Sequence, residues 1–300
     1  MSITGQNLSI VIVTLRSENV IFKCLDSINH NIPVFIIENS SNFEFKNLIE
    51  KKYNNVKCTI TEKNLGMGTG NNVGIRLVKT DYVLILNPDV ILEPNTLEEL
   101  MKSSKNNQDF AIMSPISGNS KYPNYKLYEG DNLSEQDNLL LKVKSVDGYA
   151  MLFNKKKINE ILEKEPDNKN QSYFDENFFM YLEEIDLCKR LKKINENILV
   201  SSDAKSKHRG AKSSNIGFEF EINRNWHWMW SKMYFASKYN GFFVARVALI
   251  PELIKLIVKT LFYFIFFNKK KLLIANARLC GLLASFLKLK SYFRTKLNVR

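Results

Sequence analysis

The sequence predicts an α/β fold built on a parallel sheet. Three features lead there: five short apolar runs separated by helix-compatible segments in the first 115 residues, polar side chains gathered where those runs end, and a hydrophobic content of 45% over 300 residues. Such runs suit strands buried on both faces, and their alternation with helices is the rhythm of βα units. A chain of this length can bury a sizeable core and has room for one large domain with an appendage.

The runs are LSIVIVTL (8–15), VFIIEN (34–39), VKCTIT (56–61), YVLILN (82–87) and FAIMSP (110–115). Between them, segments near 17–29, 43–52, 68–79 and 95–104 have helical spacing and flanking turn residues. Ligands of a parallel α/β sheet bind outside the carboxyl ends of its strands, so the Thr, Asn, Glu and Asp residues that end these runs are the ones to inspect. Residues 116–142 are polar and aperiodic, which predicts a mobile loop or flap. VKSVDGYAMLFNKK (143–156) predicts a strand bent at Gly148. In FDENFFMYLEEIDLCKRLKK (174–193), the spacing of Ile185, Cys188 and Leu191, continued by Ile194, predicts a helix in the second half. A short strand, NILVSS (197–202), leads to KSKHRGAKSS (205–214).

Cys24, Cys58, Cys188 and Cys280 lie far apart with no CxxC pair, which fits neither a disulfide framework nor a zinc site and points to a reducing, cytoplasmic setting. MSITGQNLSIVIVTL lacks the basic start, apolar stretch and cleavage site of a signal peptide, so none is expected. Charge is divided unevenly. Residues 205–300 hold 19 Lys and Arg against three acids, a net +16, and leave the first 204 residues at −4. These basic residues alternate with long apolar runs, which suits an anionic membrane surface rather than nucleic acid. FFVARVALIPELIKLIVKTLFYFIFF (242–267) contains Arg246, Glu252, Lys255 and Lys259. Central charges cost about 2.5–3.5 kcal/mol each in a spanning helix, so spanning is disfavoured. Glu252, Lys255 and Lys259 share one helix face and leave Leu253, Leu256, Ile257 and Leu261 on the other. With LLIANARLCGLLASFLKLK (272–290), this predicts two in-plane interfacial helices joined by a basic turn; packing as ordinary core is the alternative.

Three clusters can carry chemistry. LNPDV (86–90) runs a buried strand straight into Asn87 and Asp89, where a carboxylate can hold a hard divalent cation, or can merely start a turn after Pro88. EKNLGMGTGNNVGIR (62–76) is a Gly-rich turn opening a helix, but not in GxGxxG order. It suits close approach to a diphosphate or sugar, or small residues packing on the sheet. YLEEIDLCKR (181–190) sets three acids at a helix start beside an aromatic segment, where raised proton affinity would make a general base, although helix N-termini favour acids in any case. His208 is a lone histidine that can serve as a metal ligand or sit at the surface. His30 and His227 have no partner motif.

In this order the motifs resemble glycosyltransferase family two, and its bacterial rhamnosyltransferase-like branch. The stretches that carry the resemblance are SIVIVTLRS, VFIIENSS, NLGMGTGNNVG, LNPDV, VDGYAMLF, FDENFFMYLEEIDLCKRL and HRGAKSS, spread over roughly residues 8–240. The resemblance implies the GT-A fold, a Rossmann-like mixed sheet flanked by helices, over residues 1–240, with basic amphipathic membrane-associating helices over 241–300. Thr14 and Arg16, with Glu38 and Asn39 where the family usually has Asp-Asn, resemble the nucleobase and ribose contacts. Asn64, Gly66 and Asn71 correspond to the donor loop. LNPDV stands in the place of the family's DxD with Asn87 for the first Asp, so Asp89 remains as the carboxylate ligand of Mg2+ or Mn2+, and His208 aligns with the histidine that completes the site. Gly148 falls where the chain passes close to the acceptor. The family usually reads Glu-Asp where this sequence has Glu183-Glu184. The second is the catalytic base, so Glu184 takes that role, Glu183 faces the acceptor, and Asp186 is the neighbouring structural or acceptor-orienting acid.

The activity implied is inverting transfer of a sugar, rhamnose in that branch, from a nucleoside-diphosphate donor to a hydroxyl of a glycan or polyprenyl-diphosphate-linked acceptor in cell-surface polysaccharide synthesis. Its setting would be the inner face of a membrane, and donor binding would order residues 116–142 or 209–217. Two other readings share the fold. A sugar nucleotidyltransferase would need a Gly-rich loop after the first strand, where TLRSENV has no glycine. A degenerate membrane-bound sugar-nucleotide-binding protein is the other, and Asn87 gives it weight.

Overall fold

The computed structural model describes residues 7–119, 123–129, 139–163, 172–208 and 217–294. In chain order the elements are β1 (Leu8–Thr14), α1 (Glu18–Asp26), β2 (Val34–Glu38), α2 (Phe43–Lys52), β3 (Val56–Ile60), α3 (Met67–Leu77), β4 (Tyr82–Leu86), β5 (Val90–Leu92) and α4 (Thr96–Asn106). They continue with β6 (Ile112–Ser117), β7 (Tyr125–Lys126), β8 (Leu140–Lys142), β9 (Ser145–Val146), β10 (Ala150–Asn154), α5 (Lys155–Leu162), α6 (Glu183–Lys193) and β11 (Ile198–His208). Three helices follow: α7 (Phe218–Asn240), α8 (Phe242–Ile265) and α9 (Lys269–Phe286). The chain divides into two compact units, Met1–Asp175 with Glu184–Asn215, and Glu176–Glu183 with Ile216–Arg300. The second unit thus holds α7, α8 and α9 together with the segment Glu176–Glu183.

The first unit is a mixed sheet in the order β3-β2-β1-β4-β10-β6-β11-β5, with β8 added on β11. From β3 to β4 it is parallel, as the apolar runs predict. Beyond β4 the polarity changes. β10 runs antiparallel between β4 and β6, and β11 is parallel to β6 but antiparallel to β5. A run buried on both faces looks the same in either direction, so the run alone does not set polarity. Successive residues of β1 feed opposite cores: Ile10 and Ile12 join Ile21, Leu25, Phe45 and Ile49 of α1 and α2, while Val11 joins Ile75 of α3 and Leu187 and Leu191 of α6.

Three segments differ from the sequence-based expectation. Within 116–142, the described part is not all loop: β7 pairs with β9 and β8 with β11, while residues 120–122 and 130–138 lie outside the described residues. Two-residue and three-residue strands are too short to leave a periodic signature. The strand expected over 197–202 runs on to His208 through a register shift between Ser201 and Lys205, so its polar second half was hidden by a bulge. Lys155–Leu162 is a helix, started by the Asn154 side chain, which accepts a hydrogen bond from the Lys157 backbone N–H at 3.3 Å.

In the second unit, Met229 and Met233 of α7 pack with Ala245, Leu249 and Leu256 of α8 and Leu282 and Phe286 of α9. α7 and α9 approach so closely at Gly281 that a Cβ there would stand 2.1 Å from the Trp226 carbonyl oxygen. Among the described residues no helix is long and apolar enough to cross a membrane. The apolar face expected on α8 is split. Leu256 is buried and Leu253 packs beside it, whereas Ile257 and Leu261 are exposed. The helix is apolar nearly all round, so its wheel pattern shows one polar stripe and does not reveal which apolar side meets the protein.

Candidate active site

The carboxyl ends of β1 and β2 form one wall of the site. Their parallel register sets Thr14 beside Glu38. Thr14 Oγ1 donates to Glu38 Oε2 at 2.6 Å, and the Ser40 backbone N–H donates to Oε1 at 2.6 Å, joined by the Ser40 hydroxyl. Burial pushes the Glu38 carboxyl above its ordinary value, and those donors oppose the shift. Asn39 is held from three sides: its N–H donates to the Thr14 carbonyl, its Nδ2 donates to the Gly66 carbonyl at 3.1 Å, and Thr61 Oγ1 donates to its Oδ1 at 3.0 Å. Glu38 and Asn39 thus spend much of their hydrogen-bonding capacity inside the protein and fix the shape of the wall. Arg16 follows β1 in a left-handed backbone conformation, φ 50°.

The glycine-rich turn is the second wall, and both readings of it have a physical basis. Gly66 at φ 82° starts α3, a conformation that favours glycine, and the Asn64 side chain accepts its N–H at 3.0 Å. Gly70 and Gly74 are packing residues. A Cβ on Gly74 would lie 2.3 Å from Val11 Cγ1, and one on Gly70 would lie 3.0 Å from Val13. Asn71 is buried, and its Oδ1 has no hydrogen-bond partner among the described residues, which leaves an acceptor at the start of α3 for a ligand or water. Asn72, one residue on, exchanges two hydrogen bonds with the Phe174 backbone, at 2.8 and 2.9 Å, and so ties α3 to the segment that precedes the acidic helix.

LNPDV leaves β4 at Leu86 and re-enters the sheet as β5. The antiparallel pairing of β5 with β11 sets His208 opposite Val90, one residue past Asp89. The result is a pair: His208 Nε2 lies 3.5 Å from Asp89 Oδ1, and the imidazole stacks on the Tyr149 ring with centroids 4.5 Å apart. Asp89 is 2% exposed, and neither of its carboxylate oxygens has a hydrogen-bond partner among the described residues. A buried carboxylate with only an imidazole beside it, and no hydrogen bond, is costly unless a cation meets it. Asn87 donates its backbone N–H to the Tyr149 carbonyl at 2.8 Å, and its Oδ1 is buried without a partner among the described residues. Among the described residues no group of three or more His, Cys, Asp or Glu could hold a metal ion.

Glu184 lies in the first turn of α6. Burial pushes its carboxyl up to about 7; backbone amides at the helix start oppose this, and the nearby Asp147 carboxylate adds to it. Gly148 is what lets the chain pass: a Cβ there would meet Glu184 Cβ at 3.2 Å and Cγ at 3.3 Å. Asp186, two residues on, is fully buried and pairs with Arg190 Nε at 3.0 Å, and Arg190 also donates to the Tyr173 carbonyl. That pairing engages the Asp186 carboxylate inside the protein. Glu183 opens α6 and is buried.

Sequence reasoning passed over Asp147. Its carboxyl is raised by burial, with His208 and Lys126 acting the other way, and it acts in turn on Glu184, so it lies within electrostatic reach of both halves of the site. The available signal was an acid directly before the glycine at the bend of VDGYAML. Tyr149 left no such signal, because its role depends on the ring that lies across from it. Of the segments expected to order over the donor, 209–216 lies outside the described residues.

The mixed sheet flanked by helices, parallel from β3 to β4 and mixed beyond, is the architecture of a GT-A protein. The chain belongs to glycosyl transferase family 2, whose model matches residues 9–162. It is 27% identical over 208 residues to the low-salt glycan biosynthesis hexosyltransferase Agl10 of Haloferax volcanii, a match that covers 64% of each chain. The chain thus spans less than two thirds of that curated relative's length. In structure it is similar to the mannosyltransferase PcManGT from Pyrobaculum calidifontis in complex with GDP-Man and Mn2+, with a TM-score of 0.54 and 11% identity over 94% of this chain and 87% of that one. It is also similar to S. aureus TarS 1-349, with a TM-score of 0.52 and 14% identity over 96% of this chain and 93% of that one. At these identities the structural likeness is one of fold.

Proposed function

We propose that this chain is an inverting glycosyltransferase that moves a sugar from a nucleoside-diphosphate donor to a hydroxyl of a glycan or polyprenyl-diphosphate-linked glycan, working at the cytoplasmic face of a membrane in cell-surface polysaccharide synthesis. The Asp89–His208 pair carries this reading. One carboxylate and one imidazole at 3.5 Å, with both carboxylate oxygens without a hydrogen-bond partner among the described residues, are a donor set that fits Mg2+ or Mn2+ and leaves coordination positions for phosphate oxygens. When bound there, such a cation neutralises charge on the departing diphosphate. The N-terminus of α3 and Asn71 Oδ1, which has no hydrogen-bond partner among the described residues, offer the donor backbone amides and one acceptor. Glu184 takes the proton of the acceptor hydroxyl while that oxygen bonds to the anomeric carbon. The bond from that carbon to the diphosphate oxygen breaks on the opposite face, the nucleoside diphosphate leaves, and the configuration inverts. A carboxyl near 7 is well matched to that task at neutral pH.

The donor sugar has three sources of support that point in different directions. The motifs resemble the rhamnosyltransferase-like branch, the curated relative is named a hexosyltransferase, and one structural neighbour holds GDP-Man. A panel of nucleoside-diphosphate hexoses and rhamnose, offered with glycan and polyprenyl-diphosphate-linked acceptors, tests the proposal. Release of nucleoside diphosphate with an inverted anomeric centre in the product supports it. Pyrophosphate release, retention of configuration, or no turnover with any pair would overturn it.

A further inference from the structure

Helix α8 has two apolar sides, and only one is used within the second unit. Ala245, Leu249 and Leu256 are buried against α7 and α9. On the opposite side, Val247, Ile250, Ile254, Val258, Leu261 and Ile265 follow one another at intervals of three and four residues and are 44–64% exposed. That spacing keeps them on one stripe, which at 1.5 Å per residue runs for about 27 Å. Contiguous apolar surface of this extent is not left to water in a soluble monomer.

The margins of the stripe say what covers it. Lys255 and Lys259 are exposed along one edge and Arg246 along the other, and Lys269, Lys270 and Lys271 follow directly. From residue 216 onward the sequence has 15 Lys and Arg but only three acids, Glu219, Glu221 and Glu252. An apolar stripe edged by lysines whose stems can lie along it while their ammonium groups reach outward matches the acyl and headgroup layers of an anionic leaflet. A second copy of the chain matches less well, because a two-fold contact on this stripe would bring its cationic margins face to face. The helix is not long and apolar enough to cross a bilayer.

We propose that α8 lies in the plane of an anionic leaflet with the Val247 to Ile265 stripe immersed. This inference rests on the second unit alone and holds whatever sugar is transferred. Flotation of the full chain with phosphatidylcholine vesicles, with and without phosphatidylglycerol, tests it against the double variant I254E/V258E. Both positions are exposed, so the variant should keep the wild-type circular dichroism and melting temperature. The wild type should float with anionic vesicles, high salt should weaken this without abolishing it, and the variant should bind about a hundredfold more weakly or worse, since it removes two immersed apolar side chains and sets two carboxylates against an anionic surface. The proposal is overturned if the wild type stays unbound with every vesicle, or if the variant floats as well as the wild type. It is also overturned if the wild type is a dimer that these substitutions dissociate while neither form binds lipid.

Discussion

At the scale of single residues, Glu184 makes two predictions that pull in opposite directions. Glu184→Gln keeps the shape of the side chain and removes its basicity, so turnover should fall by about 100-fold or more while donor affinity is kept. In the wild type, turnover should rise with pH up to about 7 and level off above it, and the variant should lack that rise. Stability behaves the other way. The folded carboxyl titrates near 7 against an ordinary value of 4.5, so the wild type loses stability as pH rises through that window, and above it must hold a charge in a confined place. Thermal melts should therefore find Glu184→Gln more stable than the wild type at pH 8 and equal to it at pH 4. Asp89 and His208 make a separate prediction. Asp89→Ala or His208→Ala should weaken nucleoside-diphosphate binding in the presence of Mn2+ and leave binding in chelator unchanged, as read by calorimetric titration. Metal-sensitive affinity equal to that of the wild type in both variants would remove the pair from the metal site.

At the scale of elements, two glycines separate packing from catalysis. Gly74 lets α3 lie on β1, and a methyl group there would need Val11 to move from 2.3 Å. Gly74→Ala should cost about 1–3 kcal/mol in denaturant unfolding, the usual scale for overpacking a core. Gly148 faces Glu184 instead: a Cβ there would stand 3.2 Å from Glu184 Cβ and 3.3 Å from Cγ, so the start of α6 itself must give by a few tenths of an ångström. Gly148→Ala should cost less in denaturant unfolding than Gly74→Ala, because its contact is 3.2 Å rather than 2.3 Å, and should lower turnover by about tenfold or more, because small displacements of the proposed base are costly. Should Gly148→Ala unfold the protein and Gly74→Ala spare it, these two roles are exchanged. Long-range pairing explains why β11 matters more than its sequence suggests. Its bulge between Ser201 and Lys205 carries the strand past the short run NILVSS and delivers His208 to β5.

At the scale of the whole molecule, ligand linkage gives the broadest test. A ligand that binds only the folded chain stabilises it by about 2.7 kcal/mol at a hundredfold excess over its dissociation constant. Melting temperatures measured with each nucleoside diphosphate, with and without Mn2+, should rise for one base in particular and only when the metal is present. The same rise in Asp89→Ala would show that the cation acts elsewhere. The charge division is a molecule-wide property too: of the net +16 beyond residue 204, +12 belongs to residues 216–300, which hold α7, α8 and α9, while Lys205 and Lys207 lie on β11 of the sheet.

The sequence by itself determined the parallel half of the sheet, because β1, β2, β3 and β4 are compact apolar runs whose period and punctuation are local properties. It also marked Asp89, Glu184 and His208, through residue types placed at strand and helix ends and a resemblance in their order. The tertiary structure alone decided the rest. Strand polarity beyond β4 depends on which neighbour a run meets. Asp147 and Tyr149 matter through groups far away in the chain, Asp186 is absorbed by Arg190 on the next turn, and Glu38 and Asn39 are engaged by side chains and backbone of the same wall. On α8 the sequence marks a helix that is apolar nearly all round, and only its packing on α7 and α9 shows which side is left facing outward. Periodicity records what a residue is next to along the chain, whereas burial, pairing and proton affinity depend on what folding brings beside it.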